Sequence, residues 1–493
     1  MTLLPHLAAL RAAMAEFPAL DAHTASTLID PNEIYFPKAH AAVLDPERSL
    51  VIGNRGMGKS FWAKALVQPS TRAKIATALP SSRLAGGHVD IVFGFAEGEG
   101  NVGISRDELA LLLETGAEVE HIWRAVTLPE VARLAGTSIP SAQMARLQWV
   151  RENPSAVRDM LRTADEVLTQ RQGRLVFVFD QLEQLSNDFE RRRDLIQGIL
   201  RLTLAYKSYK NLRMKIFMRP DQQADDRIFQ FPDSSKISGE AVLLDWRSTD
   251  LYGLLYARLR AKSQVSFDAV AETADIDMSS TDRSAGFPLA LIEDERSQHL
   301  LFDRLAGQYM GSNRRRGLTY TWLVLHLADS RNQVSPRTFL RAIKFAADNS
   351  PSPTETAIDY KGIHQGVNEA AKNRVDDLKE DYPWVPPALK RLNGLLVPCA
   401  PNVMLERWSN PSIIDELRRV TPKSKMPEWL AASDRGELNQ LGGLLKAMTT
   451  VGVIEWRPTT QKIDVPDIFR LPDDIRRRGG VTPQQRRNVR PGS

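Results

Sequence analysis

The fold class predicted by the sequence is α/β: a parallel sheet wrapped by helices, then a mainly helical region and a small C-terminal α+β domain. Three observations predict it. Five short apolar, β-prone runs, at residues 48–52, 89–95, 175–179, 214–218 and 241–244, alternate with segments of helical character. The first run leads into the glycine-rich stretch Gly53-Asn54-Arg55-Gly56-Met57-Gly58-Lys59-Ser60 and then into helix-like 61–67, a strand–loop–helix unit. After Asp245-Trp246 the β signal fades until two short runs, 453–457 and 462–465, flank the turn-forming Pro458-Thr459-Thr460-Gln461.

The elements follow in chain order. Residues 1–245 are read as the α/β domain, opening on an apolar run at 3–10 that contains Pro5 and His6 and lacks a basic leader, and so reads as a surface helix. Between Ser60 and Asp180 lie more residues than one crossover needs. The helical patterns at 108–113, 119–134 and 156–168 therefore form an insertion at about 100–170. Leu251, Leu254, Leu255 and Leu259, then 300–309, 320–329 and 337–347, make a helical lid over 246–350. Asp348-Asn349-Ser350-Pro351-Ser352-Pro353 is the clearest linker, and 351–400 reads as a helical connector. In 401–475, helices at 412–419 and 437–449 precede the two β runs, the order expected of a winged helix. Residues 476–493 read as a basic, disordered tail.

Composition narrows the function classes. A 493-residue chain with 42% hydrophobic and 25% charged residues is ordinary globular material for about two to four domains. The single cysteine, Cys399, excludes a disulfide framework or a cysteine-based zinc site, and the eight histidines form no His-Glu-x-x-His pattern. No apolar stretch approaches the roughly 20 residues of a membrane helix, so a soluble, cytoplasmic protein without membrane contact is expected. The net charge of +5 is concentrated in Arg476, Arg477, Arg478, Arg486, Arg487 and Arg490, all after the last acid, Asp474. Without them the chain is nearly balanced, so attraction to nucleic acid would come from the tail.

The loop at 53–60 has the G-x-x-x-x-G-K-S pattern. Its glycines let the backbone curl so that N–H groups from Gly53, Asn54, Arg55, Gly56, Met57 and Gly58 face phosphate oxygens at the positive end of the next helix. Lys59 would reach the β- and γ-phosphates, and Ser60 would help hold Mg²⁺. The alternative is a glycine-rich turn with a surface lysine. Leu175-Val176-Phe177-Val178-Phe179-Asp180 is a buried-strand run that delivers a carboxylate to the sheet edge beside this loop. Asp180 is thus the second candidate magnesium ligand. Glu183 is either the general base that polarises water or a helix-start carboxylate. Arg219, after the fourth β run, either senses the γ-phosphate or forms a salt bridge to Asp221 or a neighbour. Arg191, Arg192 and Arg193, and Arg314, Arg315 and Arg316, are either trans-acting fingers in an assembly or solvated charge runs.

With these residues in place, the chain resembles the AAA+-like and STAND-type signalling ATPases, including NACHT- and KAP-like proteins of bacterial antiviral systems. Gly53 to Ser60 is similar to their phosphate loop, Asp180-Gln181-Leu182-Glu183 to their Asp-x-x-acid strand ending, and Met218-Arg219-Pro220 to their arginine sensor. The resemblance implies ATP and Mg²⁺ as ligands, nucleotide-driven homo-oligomerisation, a separate effector or sensor protein, and Arg337 as a second sensor. Gln181 stands where many hydrolytic relatives have glutamate, which implies a slow switch. The expectation is a regulatory ATPase controlling an effector in antiviral defence, with a DNA-handling AAA+ ATPase and a nucleotide-stabilised scaffold as alternatives.

Overall fold

The computed structural model describes residues 3–17, 28–31, 34–84, 88–96, 103–281, 287–431 and 436–478. They fall into two compact units. One comprises Pro18–Gln298 with Ser335–Arg337, the other Met1–Phe17, His299–Val334 and Thr338–Ser493.

The first unit is built on a five-stranded sheet, β1 (Leu50–Ile52), β2 (Val89–Phe95), β3 (Arg174–Phe179), β4 (Leu212–Met218) and β5 (Val242–Leu243). The spatial order is β2-β3-β4-β1-β5, and every pairing is parallel. Parallel strands covered on both faces need apolar residues at successive positions, and β3 is buried from Leu175 to Phe179. The five β runs legible in the sequence are these five strands.

Helices α1 (Lys59–Val67), α2 (Arg106–Glu114), α3 (Val119–Ala135), α4 (Gln143–Glu152), α5 (Pro154–Gln170) and α6 (Phe189–Lys207) belong to the same unit. A capping box starts α2: Glu108 N–H donates to Ser105 Oγ, and Ser105 N–H donates to Glu108 Oε2 at 2.9 Å. The α5 helix places Val157, Met160, Leu161, Ala164 and Leu168 on one face, and all are buried. That face joins α3 and α6 in a core with Phe177 and Phe179 of β3. Trp123 crosses Phe179 edge-on at 5.5 Å and donates its Nε1–H to Leu195 O at 2.9 Å. Burying a side chain of this size contributes about 1.5–3 kcal/mol.

The boundary expected at residue 245 moves. Helix α7 (Ser248–Lys262), expected to open a separate lid, belongs to the α/β unit. It is fastened there by Tyr256 Oη–H to Gln298 O at 2.6 Å and Gln298 Nε2–H to Thr249 O at 2.8 Å. At Gly253 the chain approaches so closely that a Cβ would lie 2.2 Å from Tyr35 Oη.

In the second unit the N-terminal helix Leu4–Ala15 groups with the C-terminal half rather than with the sheet, and Arg11 Nε–H donates to Ala347 O at 2.9 Å. The long helix Tyr360–Asp381 carries the buried stripe Ile363, Val367, Ala370, Ala371, Val375 and Leu378. The closing α+β domain holds helices Pro401–Ser409, Ile414–Val420 and Glu437–Thr450, then an antiparallel hairpin of β7 (Glu455–Arg457) and β8 (Lys462–Asp464), as the winged-helix expectation required. The tail expected from residue 476 does not include its first two residues. Arg476–Arg477 form β9, parallel to β6 (Leu396–Val397), and Arg477 bonds Asp464 at 2.7 Å and Asp467 at 3.1 Å. Two buried carboxylates hold this arginine in the fold, so it is not available to a polyanion. Arg478 is exposed, and Arg486, Arg487 and Arg490 lie outside the described residues. Among the described residues no helix is long and apolar enough to cross a membrane.

Candidate phosphate and magnesium site

All strands being parallel, the C-terminal ends of β1, β3 and β4 share one edge of the sheet. The loop after β1, Asp180 after β3 and Arg219 after β4 therefore converge there. Two backbone bonds fix their heights: Gly53 N–H donates to Met218 O at 3.0 Å, and Asp180 N–H donates to Phe95 O at 3.0 Å.

The loop's curl depends on two glycines. Gly56 has φ +83° and Gly58 φ +99°, the left-handed region that costs a side chain energy. Gly56 is also crowded, since a Cβ there would sit 3.0 Å from Ser335 Oγ and 3.5 Å from Arg337 Cβ. This brings Arg337 beside the loop. Met57 O accepts from Trp246 Nε1–H at 2.9 Å, tying the loop to the chain after β5. Lys59 is folded back on the loop, with Nζ donating to Gly53 O at 2.8 Å and Asn54 O at 3.2 Å. Burial lowers its pKa, and nearby Arg219 lowers it further.

Asp180 is buried, and burial pushes its carboxyl up to about 6 against the opposing hydrogen bond from Ser60 and the charge of Lys59. Its Oδ1 is buried with no hydrogen-bond partner. A carboxylate oxygen so left, beside the Ser60 hydroxyl, is a fitting donor set for Mg²⁺, which takes oxygen ligands and keeps several waters. Among the described residues there is no cluster of three or more metal-ligating side chains.

Gln181 is left-handed, with φ 56°, and turns the chain sharply into the 3₁₀ turn Leu182–Gln184. Glu183 is thereby set against Arg219, whose Nη2 lies 2.5 Å from Glu183 Oε1. Burial pushes the Glu183 carboxyl up, but Arg219 and then Lys59 outweigh it and hold it below the usual glutamate range. Arg219 thus pairs with the candidate base, a neighbour on the same sheet edge. Its backbone N–H is held by Gln222 Oε1 at 2.9 Å. Gln222 and Trp246 carry no sequence signal as site residues, and Gln181 is legible only by its side chain, because turn strain and capping leave no distinctive pattern.

The arginine runs are partly spent in cis. Arg193 is buried between Asp225 at 2.9 Å and Glu190 at 2.6 Å, and Arg192 Nη1 lies 3.5 Å from Glu183 O. Arg191, Arg314, Arg315 and Arg316 are exposed.

Behind the loop, His40 is buried edge-on to Trp62 and Trp246, at centroid distances of 5.6 and 4.8 Å. Its Nε2 is 2.9 Å from Asp245 O, while Nδ1 is buried without a partner. Burial lowers its pKa to about 4. A folded-state pKa below the unfolded value near 6.5 means that the unfolded chain binds the extra proton between these limits. Stability should be full above pH 6.5 and fall as pH drops toward 4, by up to about 3 kcal/mol from this group. Urea unfolding from pH 7 to 4 measures the slope. His40→Phe should flatten it relative to wild type.

No family model matches the chain, and no curated protein matches it. Solved structures similar to it include the Aeropyrum pernix ORC2 protein in ADPNP–ADP complexes, at 12% identity and TM-score 0.31, covering 92% of this chain and 97% of that one. Cdc6p from Pyrobaculum aerophilum aligns at 13% identity and TM-score 0.27, covering 87% and 86%. The Aeropyrum pernix ORC1 protein in complex with DNA aligns at 12% identity and TM-score 0.30, covering 92% and 95%. The fold class rests on this chain's own sheet order and phosphate loop.

Proposed function

We propose that the chain is a magnesium-dependent ATP-binding and slowly hydrolysing switch of the AAA+ kind. The observation that carries this reading is the convergence of Lys59, Ser60, Asp180, Glu183 and Arg219 on one sheet edge, with Asp180 Oδ1 buried and unpartnered. The loop's N–H groups and Lys59 would hold the triphosphate, Lys59 exchanging its two carbonyl partners for phosphate oxygens. Ser60 and Asp180 would hold magnesium, which neutralises charge on the transferring phosphoryl group. Glu183 would orient and deprotonate the attacking water once Arg219 turns to the γ-phosphate, and Arg337, beside Gly56, would be a second sensor. A base held by an arginine fits slow turnover.

For the output, DNA handling is favoured over control of an antiviral effector. Helices followed by the β7–β8 hairpin supply a module of the kind that docks on DNA. Among the described residues, no feature of the fold speaks for an effector or for STAND kinship. Nucleotide-driven self-assembly is part of the proposal. ATP hydrolysis measured with and without duplex DNA, at two salt concentrations and with magnesium withheld as control, tests it. Expected are magnesium-dependent turnover and DNA affinity that falls steeply with salt. No ATP binding would end the switch reading, and no DNA affinity in low salt would end the DNA reading alone.

The C-terminal arginines enter separately. Deleting residues 478–493 should weaken DNA binding at least tenfold in low salt, since about four phosphate contacts are lost, while leaving the melting temperature unchanged. The cut is placed after Arg477 because that side chain is structural.

A further inference from the structure

On the outer face of the α/β unit, helices α3, α5 and α6 enclose a pocket of about 430 Å³, unused by the nucleotide chemistry. We propose that it binds a small amphipathic anion: a flat apolar body carrying a carboxylate, sulfonate or phosphate.

The pocket has an apolar floor and a cationic side. Val150, Val157, Leu161 and Ala205 supply aliphatic surface, and the rings of Tyr206 and Tyr209 complete it. Tyr206 makes a rigid wall, because its hydroxyl is bonded to Thr127 Oγ1 at 2.7 Å and its ring lies 6.0 Å from Phe177 of β3. The volume lies within the range of small-ligand sites, roughly 300–1,000 Å³.

Charge decides the ligand's sign. Four ionisable groups besides the tyrosines line the mouth with Arg158: Glu118, Glu120, His121 and Arg124. Glu120 pairs with Arg201 at 3.3 Å, and Glu118, largely exposed to water, lies 3.7 Å from His121, an ion pair only when the imidazole is protonated. The Arg124 and Arg158 side chains, by contrast, make no hydrogen bond or ion pair among the described residues. Pro154, at the first turn of α5, also lines the pocket, and no side chain caps that helix end. Two unspent guanidiniums therefore border the same volume. An anion satisfies both. A cation or a neutral body would leave them as they are.

The test uses the full chain with excess magnesium–ADP, so that the phosphate loop is filled, and titrates 1-anilinonaphthalene-8-sulfonate by fluorescence. Its uncharged analogue, N-phenyl-1-naphthylamine, is the control. Expected are one saturable site for the sulfonate, at least tenfold weaker binding of the uncharged dye, and at least tenfold loss of sulfonate affinity in Arg124→Gln/Arg158→Gln. Arg158→Gln alone changes an exposed helix position, keeps the fold, and should still weaken binding several-fold. Ala205→Trp should remove the site by filling it. Absence of saturable binding, equal affinity for both dyes, or wild-type affinity in Arg158→Gln and the double variant would each overturn the proposal.

Discussion

Lys59→Ala is expected to weaken ATP binding by two to three orders of magnitude while leaving the fold intact. The ammonium donates to the loop's own carbonyls, Gly53 O and Asn54 O, so its loss breaks no hydrogen bond between elements. With ATP present it would be the main charge-assisted donor to the β- and γ-phosphates, and losing about 3–4 kcal/mol of such bonding corresponds to that drop in affinity. Calorimetry with magnesium–ATP reads the affinity, and thermal unfolding of the ligand-free variant reads the fold. Unchanged affinity would remove the phosphate-loop reading altogether.

The sheet was legible in the sequence for a physical reason. A parallel strand covered on both faces is a continuous apolar run, and Leu175–Phe179 can hardly be anything else once Asp180 ends it. Lys215 shows the limit of that logic, since a buried lysine sits inside β4 with Nζ on Asp45 O and Arg48 O at 2.9 Å each, and no pattern announces such a pair of acceptors. Helices α4 and α6 escaped notice because charged residues dilute their apolar faces. The β6–β9 pairing joins segments some eighty residues apart. Nothing local encodes it, and the same holds for the N-terminal helix that folds with the C-terminal half. The site divides in the same way. The placement of Lys59, Ser60 and Asp180 at one sheet edge follows from fixed spacing and strand endings, whereas the Glu183–Arg219 pair depends on β4 lying next to β3 and on the left-handed turn at Gln181. Read singly, the two residues have separate roles; the fold makes them partners.

That partnership sets the second large expectation. Glu183→Gln should leave magnesium–ATP affinity within about threefold of wild type and lower the hydrolysis rate by about 10²–10³, the usual contribution of a positioned base. The amide keeps a carbonyl oxygen for the Arg219 guanidinium, now 2.5 Å away in the wild type, so shape and hydrogen bonding survive and only basicity is lost. Asp180→Asn should behave differently, because it weakens the magnesium site and with it nucleotide retention. Arg219→Ala should slow hydrolysis and also lower the melting temperature, since it strips the partner from a part-buried carboxylate. Combining Arg219→Ala with Glu183→Gln should recover part of that stability, as the orphaned group is then neutral, without recovering turnover. A double-mutant cycle on unfolding free energy, run beside single-turnover hydrolysis, separates the two effects. Wild-type turnover in Glu183→Gln would reduce Glu183 to a structural partner of Arg219. Additive stability losses in the cycle would show that the pair is not coupled in solution, and with it would go the idea that Arg219 restrains the base until the γ-phosphate draws it away.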